Sequence, residues 1–551
     1  MTTERWILLI KRLILGVLTL FAIASVTLSL LQSLSQPQIQ SRLELYQTNL
    51  LLHASEWQGN SSDAGTPQES VPDLKAARNA LLGDKPLKTA QEQYQETRKS
   101  AQKTQSNLTA QLKDVSDKIS QFQGIEDEDA PTPDEVKIQS QRAKQQQQQL
   151  QGLLSQVQQL IDELDLRIGV LQAQQGDRKA ALNTWSQFTK PSAESVASVS
   201  GSKDSMVQTA QVLIGLWSEQ PRLIPNAESQ IQKDLEGWFR YRALTKLYQL
   251  QQRQDAQLSL QAKEQELAEQ AIFKLALIGG IPGFGGLLGV GLFVFLIVQR
   301  LLQGEKSLLA TNSDVPWETP WNWEIIWQVF ILGFFFIGQL LLPTLFHLLG
   351  VNPSNYDVRM KAFYVLASYL LMASGGLLVL YFSLKPFFPL PQDWFSFKLR
   401  LSWIPWGLGG YFVALPLVIL VSFLNQKLWQ GQGGSNPILS LALEGQDNVA
   451  LLLFFVTACV AAPMFEEIFF RGFLLPSLTR YLPVWGAIVA SGFLFALAHL
   501  SFSEVLPLAT LGIVLGIVYT RSRNLLASML LHGLWNAGTL LSLFVLGSGA
   551  S

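Results

Sequence analysis

Apolar residues along this chain are collected in one run near the N-terminus and in a series of runs after residue 272, with a long polar segment between. A helix needs roughly 17 to 25 residues to cross a hydrocarbon core of about 30 Å, and most of these runs have that length. The pattern predicts an all-α fold, a polytopic transmembrane helical bundle with a soluble helical domain. The nine predicted spans are 13–31, 275–298, 325–349, 362–383, 404–424, 449–470, 484–500, 505–520 and 525–546.

The first apolar run is predicted to be an N-terminal transmembrane anchor, residues 1–33. Arg5, Lys11 and Arg12 precede it, and the run is longer than the ~7–15 apolar residues of a signal-peptide core. We therefore expect an anchor that is not cleaved. A cleaved signal peptide is the alternative that the sequence leaves open.

Basic residues are divided unequally between the two sides of the predicted spans. With the N-terminus inside, twelve lie in inside segments and three, Arg359, Lys361 and Lys427, lie in short outside segments. Because cytoplasmic loops carry an excess of lysine and arginine, this predicts a cytoplasmic N-terminus and an extracytoplasmic segment 34–271. The membrane would be a plasma membrane or a thylakoid-like internal membrane. The inside residues are Arg5, Lys11, Arg12, Arg300, Lys306, Lys385, Lys398, Arg400, Arg471, Arg480, Arg521 and Arg523.

The segment 34–271 is polar and rich in helix-forming residues. Between about 140 and 175 its apolar residues recur at alternating spacings of four and three, which is typical of a coiled coil or a helical hairpin. Gly176 followed by Asp177 predicts the end of that helix and the N-cap of the next. The apolar positions are Leu150, Leu154, Val157, Ile161, Leu164, Ile168 and Leu171.

Composition narrows the function classes. The 551 residues are 48% hydrophobic and carry a formal net charge of −1, which gives no electrostatic basis for binding nucleic acid. Cys459 is the only cysteine, so no intramolecular disulfide can form. We divide the chain into the anchor 1–33, the helical domain 34–271, accessory transmembrane helices 272–430 and a catalytic transmembrane domain 431–551.

Ionisable residues in and directly beside the last four predicted spans need an explanation, because such groups are expensive in lipid. They have either a partner inside the bundle or a function. Two of the four histidines in the chain lie there. The polar set is Glu466, Glu467, Arg471, His499, His532 and Asn536.

Helical spacing suggests different roles for these residues. Glu467 and Arg471 are four apart and can form an ion pair on one face. Glu466 points about a quarter turn away, and a poorly solvated carboxylate can act as a base near neutral pH. His532 and Asn536 are also four apart, so one face presents an imidazole and an amide that can bind an oxyanion.

The predicted turn near Leu482 places two of these groups at the same height. Glu466 lies 16 residues before it and His499 lies 17 after it, so antiparallel helices would carry both to about 25 Å from the turn, where they can share a water molecule. The same arithmetic puts His532 about 10 Å out of level with His499. At least one of these helices must be tilted, broken or re-entrant.

Three motifs in successive apolar segments, Glu466-Glu467-x-x-x-Arg471, Phe495-x-x-x-His499 and His532-x-x-x-Asn536, resemble those of a known family. It is the type II CAAX prenyl endopeptidase and bacteriocin-processing (CPBP) family of intramembrane proteases. The resemblance covers about 449–546 and implies an endopeptidase that hydrolyses a peptide bond of a membrane-associated protein or peptide. It implies that Glu466 and His499 activate water, that His532 and Asn536 bind the oxyanion, and that Glu467, Arg471 and Phe495 support the site.

The need for a metal is left open by the sequence. The family is often described as metalloproteases, yet the His-Glu-x-x-His motif is absent. Glu466, His499 and His532 could together bind a divalent metal such as zinc. We favour a reaction in which glutamate activates water and no cofactor is required.

Two other functions fit parts of the pattern. A non-catalytic membrane scaffold or assembly factor would recruit a protein partner through 34–271, with the polar residues only holding the bundle together. A transporter would need a polar pathway across several spans, and the middle spans lack charged residues for it. If the protein is a protease, the sequence leaves open whether its substrate is prenylated and to which side of the membrane the active site opens.

Overall fold

The computed structural model describes residues 3–34, 39–58, 83, 85–123, 133–189, 200–353, 356–429, 433–434, 439, 441 and 447–547. The chain divides into two compact units, which we call the membrane unit and the helical unit. The membrane unit is Met1–Leu34 with Gly279–Gly547, and the helical unit is Ser35–Ile278 with Ser548–Ser551. The described residues of both units form helices and connecting turns, as the hydrophobic pattern predicts.

The helical unit is built from helices that bury large aromatic side chains. Its core holds Trp185, Trp217, Trp238, Tyr94 and Phe239. The helices are α2 (Ile39–Ser55), α3 (Pro86–Gln123), α4 (Pro133–Gln174), α5 (Arg178–Ser186), α6 (Ser200–Trp217), α7 (Ala227–Asp234), α8 (Gly237–Gln251) and the first part of α9 (Gln254–Gln303).

Helix α4 carries the predicted apolar seam, and it packs along α3 as a long helical hairpin. Leu150, Ile161 and Leu164 are buried, and Leu154 and Val157 are partly buried against α3 residues. The predicted helix end is also confirmed. Gly176 adopts a φ of 89°, and the Asp177 carboxylate accepts a hydrogen bond from the Ala180 backbone N–H at 3.0 Å, which caps α5.

The membrane unit contains the remaining helices and confirms an integral, multi-pass membrane protein. In the described part of the chain, eight helices are long and apolar enough to span a bilayer. They are α1 (Thr3–Ser33), α9, α10 (Trp323–Leu348), α11 (Val358–Leu384), α12 (Trp403–Trp429), α13 (Asn448–Leu478), α15 (Phe502–Ser522) and α16 (Leu525–Gly547).

The prediction of nine full spans was wrong by one. The segment predicted as 484–500 forms a shorter helix, α14 (Val484–Leu497), of 14 residues. Such a helix is about 21 Å long, which is less than the thickness of the hydrocarbon core. The predicted span was too long because the apolar residues Ala498 and Leu500 follow the end of the helix and do not belong to it. Leu500 has a φ of 57°, which is not helical.

Two of the membrane helices contain π-helical segments. One occupies Val329–Leu341 in α10. In α13 there are two, Val456–Ala461 and Glu467–Leu474, separated by the short α-helical piece Ala462–Glu466. π-Helical turns are rare and often mark functional sites. In α13, Glu466 ends the short α-helical piece and Glu467 begins the second π-helical segment.

Helix α1 is tied to the start of α10 by polar contacts. Arg12 donates a hydrogen bond to Glu324 at 3.1 Å, and Lys11 lies 3.5 Å from the same carboxylate. Farther along, Trp327 Nε1 donates to Thr19 Oγ1 at 2.7 Å. These contacts hold the N-terminal helix inside the membrane unit as one of its members.

Several connections between helices meet at one end of the membrane unit. Asn312 donates a hydrogen bond to the Arg521 carbonyl at 3.1 Å, and the Trp317 backbone N–H donates to Thr479 Oγ1 at 3.1 Å. Arg471 was counted among the loop residues of that side, which was wrong, because its side chain is fully buried inside α13's packing interface. The remaining inside residues still outnumber the outside ones.

Candidate active site

A fully buried ion pair forms the base of the site. Arg471 donates a hydrogen bond to Glu467 Oε1 at 2.8 Å, and both side chains are 0% exposed. The pair that spacing predicted is therefore present. The π-helical path of Glu467–Leu474 places these residues, four apart, nearly one full turn from each other.

Arg471 is held by groups other than Glu467 as well. It donates to the Gly512 carbonyl of α15 at 3.2 Å. That carbonyl is within reach because α14 and α15 approach closely at two glycines: a Cβ on Gly512 would lie 2.8 Å from the Gly492 Cα. A side chain at either glycine would separate the helices and move the acceptor.

His532 on α16 is oriented by the same carboxylate. Its Nδ1 lies 2.9 Å from Glu467 Oε1, and the imidazole is 3% exposed. Since Glu467 is an acceptor in both contacts, Nδ1 carries a hydrogen and donates it. The other ring nitrogen, Nε2, then points toward Glu466, whose Oε2 is 3.9 Å away. A buried carboxylate thus fixes the orientation and tautomer of the imidazole.

Glu466 differs from Glu467 in its surroundings. Its side chain is 16% exposed, and Tyr369 O–H of α11 donates a hydrogen bond to its Oε1 at 3.1 Å. Oε2 remains directed toward His532. Tyr369 was not predicted, because it lies in an apolar span that holds several other hydroxyl groups.

Phe495 of α14 is the side chain that the polar groups share. Its ring centroid lies 4.4 Å from the Arg471 guanidinium carbon, 4.9 Å from the His499 ring and 5.6 Å from the His532 ring. Its side chain is fully buried. The ring keeps water away from Arg471 and separates the two imidazoles, with an edge-on contact to each.

His499 lies in the turn after α14 and not inside a membrane helix. Its Nδ1 is 2.9 Å from the Phe495 carbonyl, and a carbonyl can only accept, so Nδ1–H donates. The lone pair of the neutral ring is then on Nε2. Among the described residues, no direct hydrogen bond joins His499 to Glu466, so the shared-water arrangement stays a prediction.

Asn536 occupies the same face of α16 as His532. Its side-chain amide donates a hydrogen bond to the Ala458 carbonyl at 2.7 Å, in the first π-helical segment of α13. An amide nitrogen has two hydrogens, so one remains for another acceptor. The oxyanion role stays a prediction, and the backbone partner was not predicted from the sequence.

The residues do not form a ready metal site. In the described part of the chain, no three histidine, cysteine, aspartate or glutamate side chains are grouped closely enough to hold a metal ion. Metal binding by Glu466, His499 and His532 stays a prediction.

The geometry of these side chains is typical of one class of site. A partly exposed carboxylate faces an imidazole that a second, buried carboxylate orients, and an amide lies one turn farther on. Hydrolytic sites use such groups as a general base and as donors to an oxyanion.

Comparison with known proteins agrees with this class. Residues 448–538 match the family model described as type II CAAX prenyl endopeptidase Rce1-like, which confirms the resemblance inferred from the three motifs. The chain is also 25% identical over 139 residues to a protein named membrane-embedded CAAX protease MroQ, from Staphylococcus aureus (strain USA300). That alignment covers 24% of this chain and 55% of the relative, so the chain spans about half of its length. No solved structure gives a significant match. Together, these matches support a membrane endopeptidase in general.

Proposed function

We propose that this protein is an intramembrane endopeptidase that hydrolyses a peptide bond of a membrane-associated protein or peptide, with Glu466 as the general base. The observation that carries the proposal is the arrangement of Glu466 Oε2 opposite His532 Nε2, 3.9 Å apart, with His532 Nδ1 anchored on Glu467. The Rce1-like match over the same residues supports it.

The first step is the attack of water on the substrate carbonyl. Glu466 accepts a proton from the water while the water oxygen bonds to the carbonyl carbon. The Tyr369 hydroxyl holds Oε1, which leaves Oε2 as the oxygen directed to the reacting groups. His499, whose Nδ1–H is occupied by the Phe495 carbonyl, presents Nε2 as an acceptor for the second hydrogen of the water.

The negative charge that forms on the carbonyl oxygen needs donors. His532 supplies one as an imidazolium that holds both of its protons before the water attacks: Nδ1–H stays on Glu467, and Nε2–H is the donor. The buried Glu467 carboxylate stabilises that imidazolium, and the free N–H of Asn536 is the second donor. When the intermediate collapses, the C–N bond breaks and Glu466 passes its proton to the leaving amine.

The reaction is proposed without a cofactor. The described donor groups do not form a three-ligand set, and each step above uses a residue of the chain. We expect cleavage to persist after treatment with a strong zinc chelator. Loss of cleavage with the chelator and its recovery with added zinc would instead show that a metal takes part.

The helical unit is proposed to select or present substrates on the extracytoplasmic side, with the N-terminus in the cytoplasm. The ion pairs of Lys11 and Arg12 with Glu324 support placing these basic residues at one end of the membrane unit. Protease treatment of intact cells is expected to cut the helical unit and leave the loop around Arg400 intact. Cleavage at that loop alone would reverse the orientation.

The decisive experiment compares protein termini in cells that carry wild-type protein or Glu466→Gln at matched membrane levels. Removing the base is expected to lower cleavage by roughly 10²- to 10⁴-fold. Glu318→Gln is the matched control, since Glu318 is an exposed carboxylate whose backbone, and not its side chain, bonds to Trp394. New termini with wild type and Glu318→Gln, but not with Glu466→Gln, would identify the substrate.

The same experiment separates the protease from a scaffold. Identical termini in all three strains, with a cellular phenotype that Glu466→Gln rescues as well as wild type does, would reject the proposed proteolysis. A phenotype that then depends only on the helical unit would identify a scaffold.

A further inference from the structure

A cluster of buried donors without acceptors lies at the end of α15, away from Glu466. The Arg521 side chain is 2% exposed, and in the described chain none of its three nitrogens, Nε, Nη1 or Nη2, has a hydrogen-bond partner. Arg521 also forms no ion pair among the described residues. By contrast, the Arg471 guanidinium of the site donates to two acceptors.

Two neighbouring residues add unsatisfied polar atoms to the same region. Arg523 Nε and the Tyr519 hydroxyl are buried and also lack partners. The rest of Arg523 is well held: it donates to the Val315 carbonyl and stacks 3.4 Å from the Trp317 ring. Trp317 in turn stacks on the Tyr519 ring with centroids 5.5 Å apart. Residues 519–523 thus gather five donor-bearing atoms that have no acceptor.

The Arg521 guanidinium is thus buried without a hydrogen-bond acceptor, although the Asp314 carboxylate is near enough to attract its charge. A buried donor without a partner has lost its hydrogen bonds to water and gained none in return. The ring contact of Arg521 is with Trp485, whose ring centroid lies 5.3 Å from the guanidinium carbon. A cation–π contact stabilises the charge, but the in-plane N–H groups stay unbonded. The missing acceptor must be an anion or a strongly polar group.

The surroundings indicate the source of that anion. Trp485 is 47% exposed, and Val315 and Val489 are about as exposed, so the cluster is covered by apolar side chains on the outer surface of the membrane unit. Tryptophan favours the interface between hydrocarbon and headgroups. Basic pockets between membrane helices at that level bind anionic lipid headgroups, and a guanidinium fork matches phosphate oxygens.

We propose that Arg521, with Arg523 and Tyr519 beside it, binds the phosphate of an anionic phospholipid headgroup, which reaches the guanidinium by displacing the Trp485 side chain. The acyl chains then lie along the exposed apolar surface near Val489. The site is independent of the proposed proteolysis, because none of its residues contacts Glu466, His532 or Asn536.

The test measures thermal unfolding of the purified full chain in an uncharged maltoside detergent. Dioleoylphosphatidylglycerol, dioleoylphosphatidylcholine and inorganic phosphate are each titrated at constant ionic strength. Phosphatidylglycerol is expected to raise the unfolding temperature of wild type by several degrees, because a ligand that binds only the folded state stabilises it. The other two additives are expected to have little effect.

Substitutions of Arg521 test whether this side chain binds the lipid. Arg521→Met and Arg521→Gln are expected to be as stable as wild type without lipid, since an unpaired buried charge has been removed. Both should need about tenfold or more phosphatidylglycerol for the same shift, as expected for losing a charge-assisted contact. Arg400→Gln removes an exposed arginine and should respond like wild type.

Each other outcome overturns the proposal. Equal stabilisation by inorganic phosphate would show a site for a free anion and not for a lipid. Equal stabilisation by phosphatidylcholine would show a general effect of lipid. If Arg400→Gln needs as much additional phosphatidylglycerol as the Arg521 variants do, the effect is one of surface charge. If both Arg521 variants unfold without lipid, Arg521 has an internal structural partner and is not a ligand site.

Discussion

Each unit of this protein contains a buried histidine paired with a glutamate. In the helical unit, His53 Nδ1 lies 2.7 Å from Glu264 Oε1, and in the membrane unit, His532 Nδ1 lies 2.9 Å from Glu467 Oε1. Both imidazoles are 3% exposed. The histidine–glutamate pair is therefore alike in the two units, and the residues around each pair differ.

The neighbouring carboxylates make that difference. Near His53, Glu56 is already bonded by Trp238 Nε1 at 2.7 Å and by Arg242 at 2.6 Å. Near His532, Glu466 faces the free ring nitrogen at 3.9 Å and is held on its far oxygen by Tyr369. Glu56 and Glu466 are similarly exposed, at 13% and 16%, so exposure does not distinguish them. They differ in their contacts: an indole and a guanidinium bond to Glu56, whereas Glu466 faces the imidazole itself.

Loss of Glu467 is expected to have the largest effect, because this carboxylate serves both Arg471 and His532. Glu467→Gln should lower the stability by roughly 3–5 kcal/mol, since a buried guanidinium loses its counter-charge. It should also lower cleavage by at least about 10²-fold, because His532 loses its orientation. Thermal unfolding and cleavage of the same preparations would measure both effects.

A double variant separates these two roles of Glu467. Glu467→Leu with Arg471→Met replaces the ion pair with apolar side chains and should recover most of the lost stability. Cleavage should stay low, because no carboxylate orients His532. Recovery of cleavage in the double variant would show that Glu467 acts only through the stability of the bundle.

Tyr369→Phe tests the group that the sequence did not reveal. The hydroxyl positions Glu466, so its removal should lower kcat by about tenfold and leave KM nearly unchanged, as for an interaction worth about 1.4 kcal/mol in the transition state alone. Tyr381→Phe, in the exposed part of the same helix, is the control. An equal change in KM would indicate that Tyr369 contacts substrate instead.

Parts of the fold and of the candidate site could be predicted from the sequence. Apolar run length predicted eight spans correctly and one that is too short, the spacing of four predicted the Glu467–Arg471 pair, and the seam of α4 predicted the helical hairpin. These are local properties, set by periodicity along one helix. Tyr369 and the Ala458 carbonyl were missed because they reach the site from other turns and helices, through contacts that no spacing encodes.

The position of each side chain along its helix axis was the second feature that the sequence did not predict. Equal rise per residue placed His532 about 10 Å out of level with His499, which led us to expect at least one tilted, broken or re-entrant helix. The π-helical segments of α13 and the early end of α14 at Leu497 are such departures from a regular helix. No composition rule predicts where a π-turn forms, so the sequence could not tell which helix departs from the regular rise.

His53→Ala tests the structural member of the comparison. It leaves the Glu264 carboxylate buried without its partner, so the unfolding temperature should fall by several degrees. Cleavage per folded molecule should change by less than about twofold, in contrast to a loss of at least about 10²-fold in His532→Ala. A large loss of cleavage in folded His53→Ala would mean that the helical unit takes part in catalysis.

The smallest expected effect concerns a surface carboxylate of the helical unit, Glu228. Tyr248 O–H and Arg253 donate to it at 2.7 and 2.8 Å, and these two hydrogen bonds lower its pKa below 4.5. A lowered pKa means that the folded state favours the carboxylate. The resulting stability is present above the usual pKa and is lost as the pH falls through the lowered one.

Tyr248→Phe removes the larger of the two causes, so it should lower the unfolding temperature at about pH 7, and this difference should shrink as the pH falls and Glu228 takes up a proton in both proteins. The gap should correspond to less than about 1 kcal/mol, because the Glu228 side chain is 37% exposed and water screens the interaction. Tyr481→Phe, which removes an exposed hydroxyl, controls for the substitution itself. A gap that persists unchanged at low pH would mean that the Tyr248 hydroxyl stabilises the unit independently of the Glu228 charge.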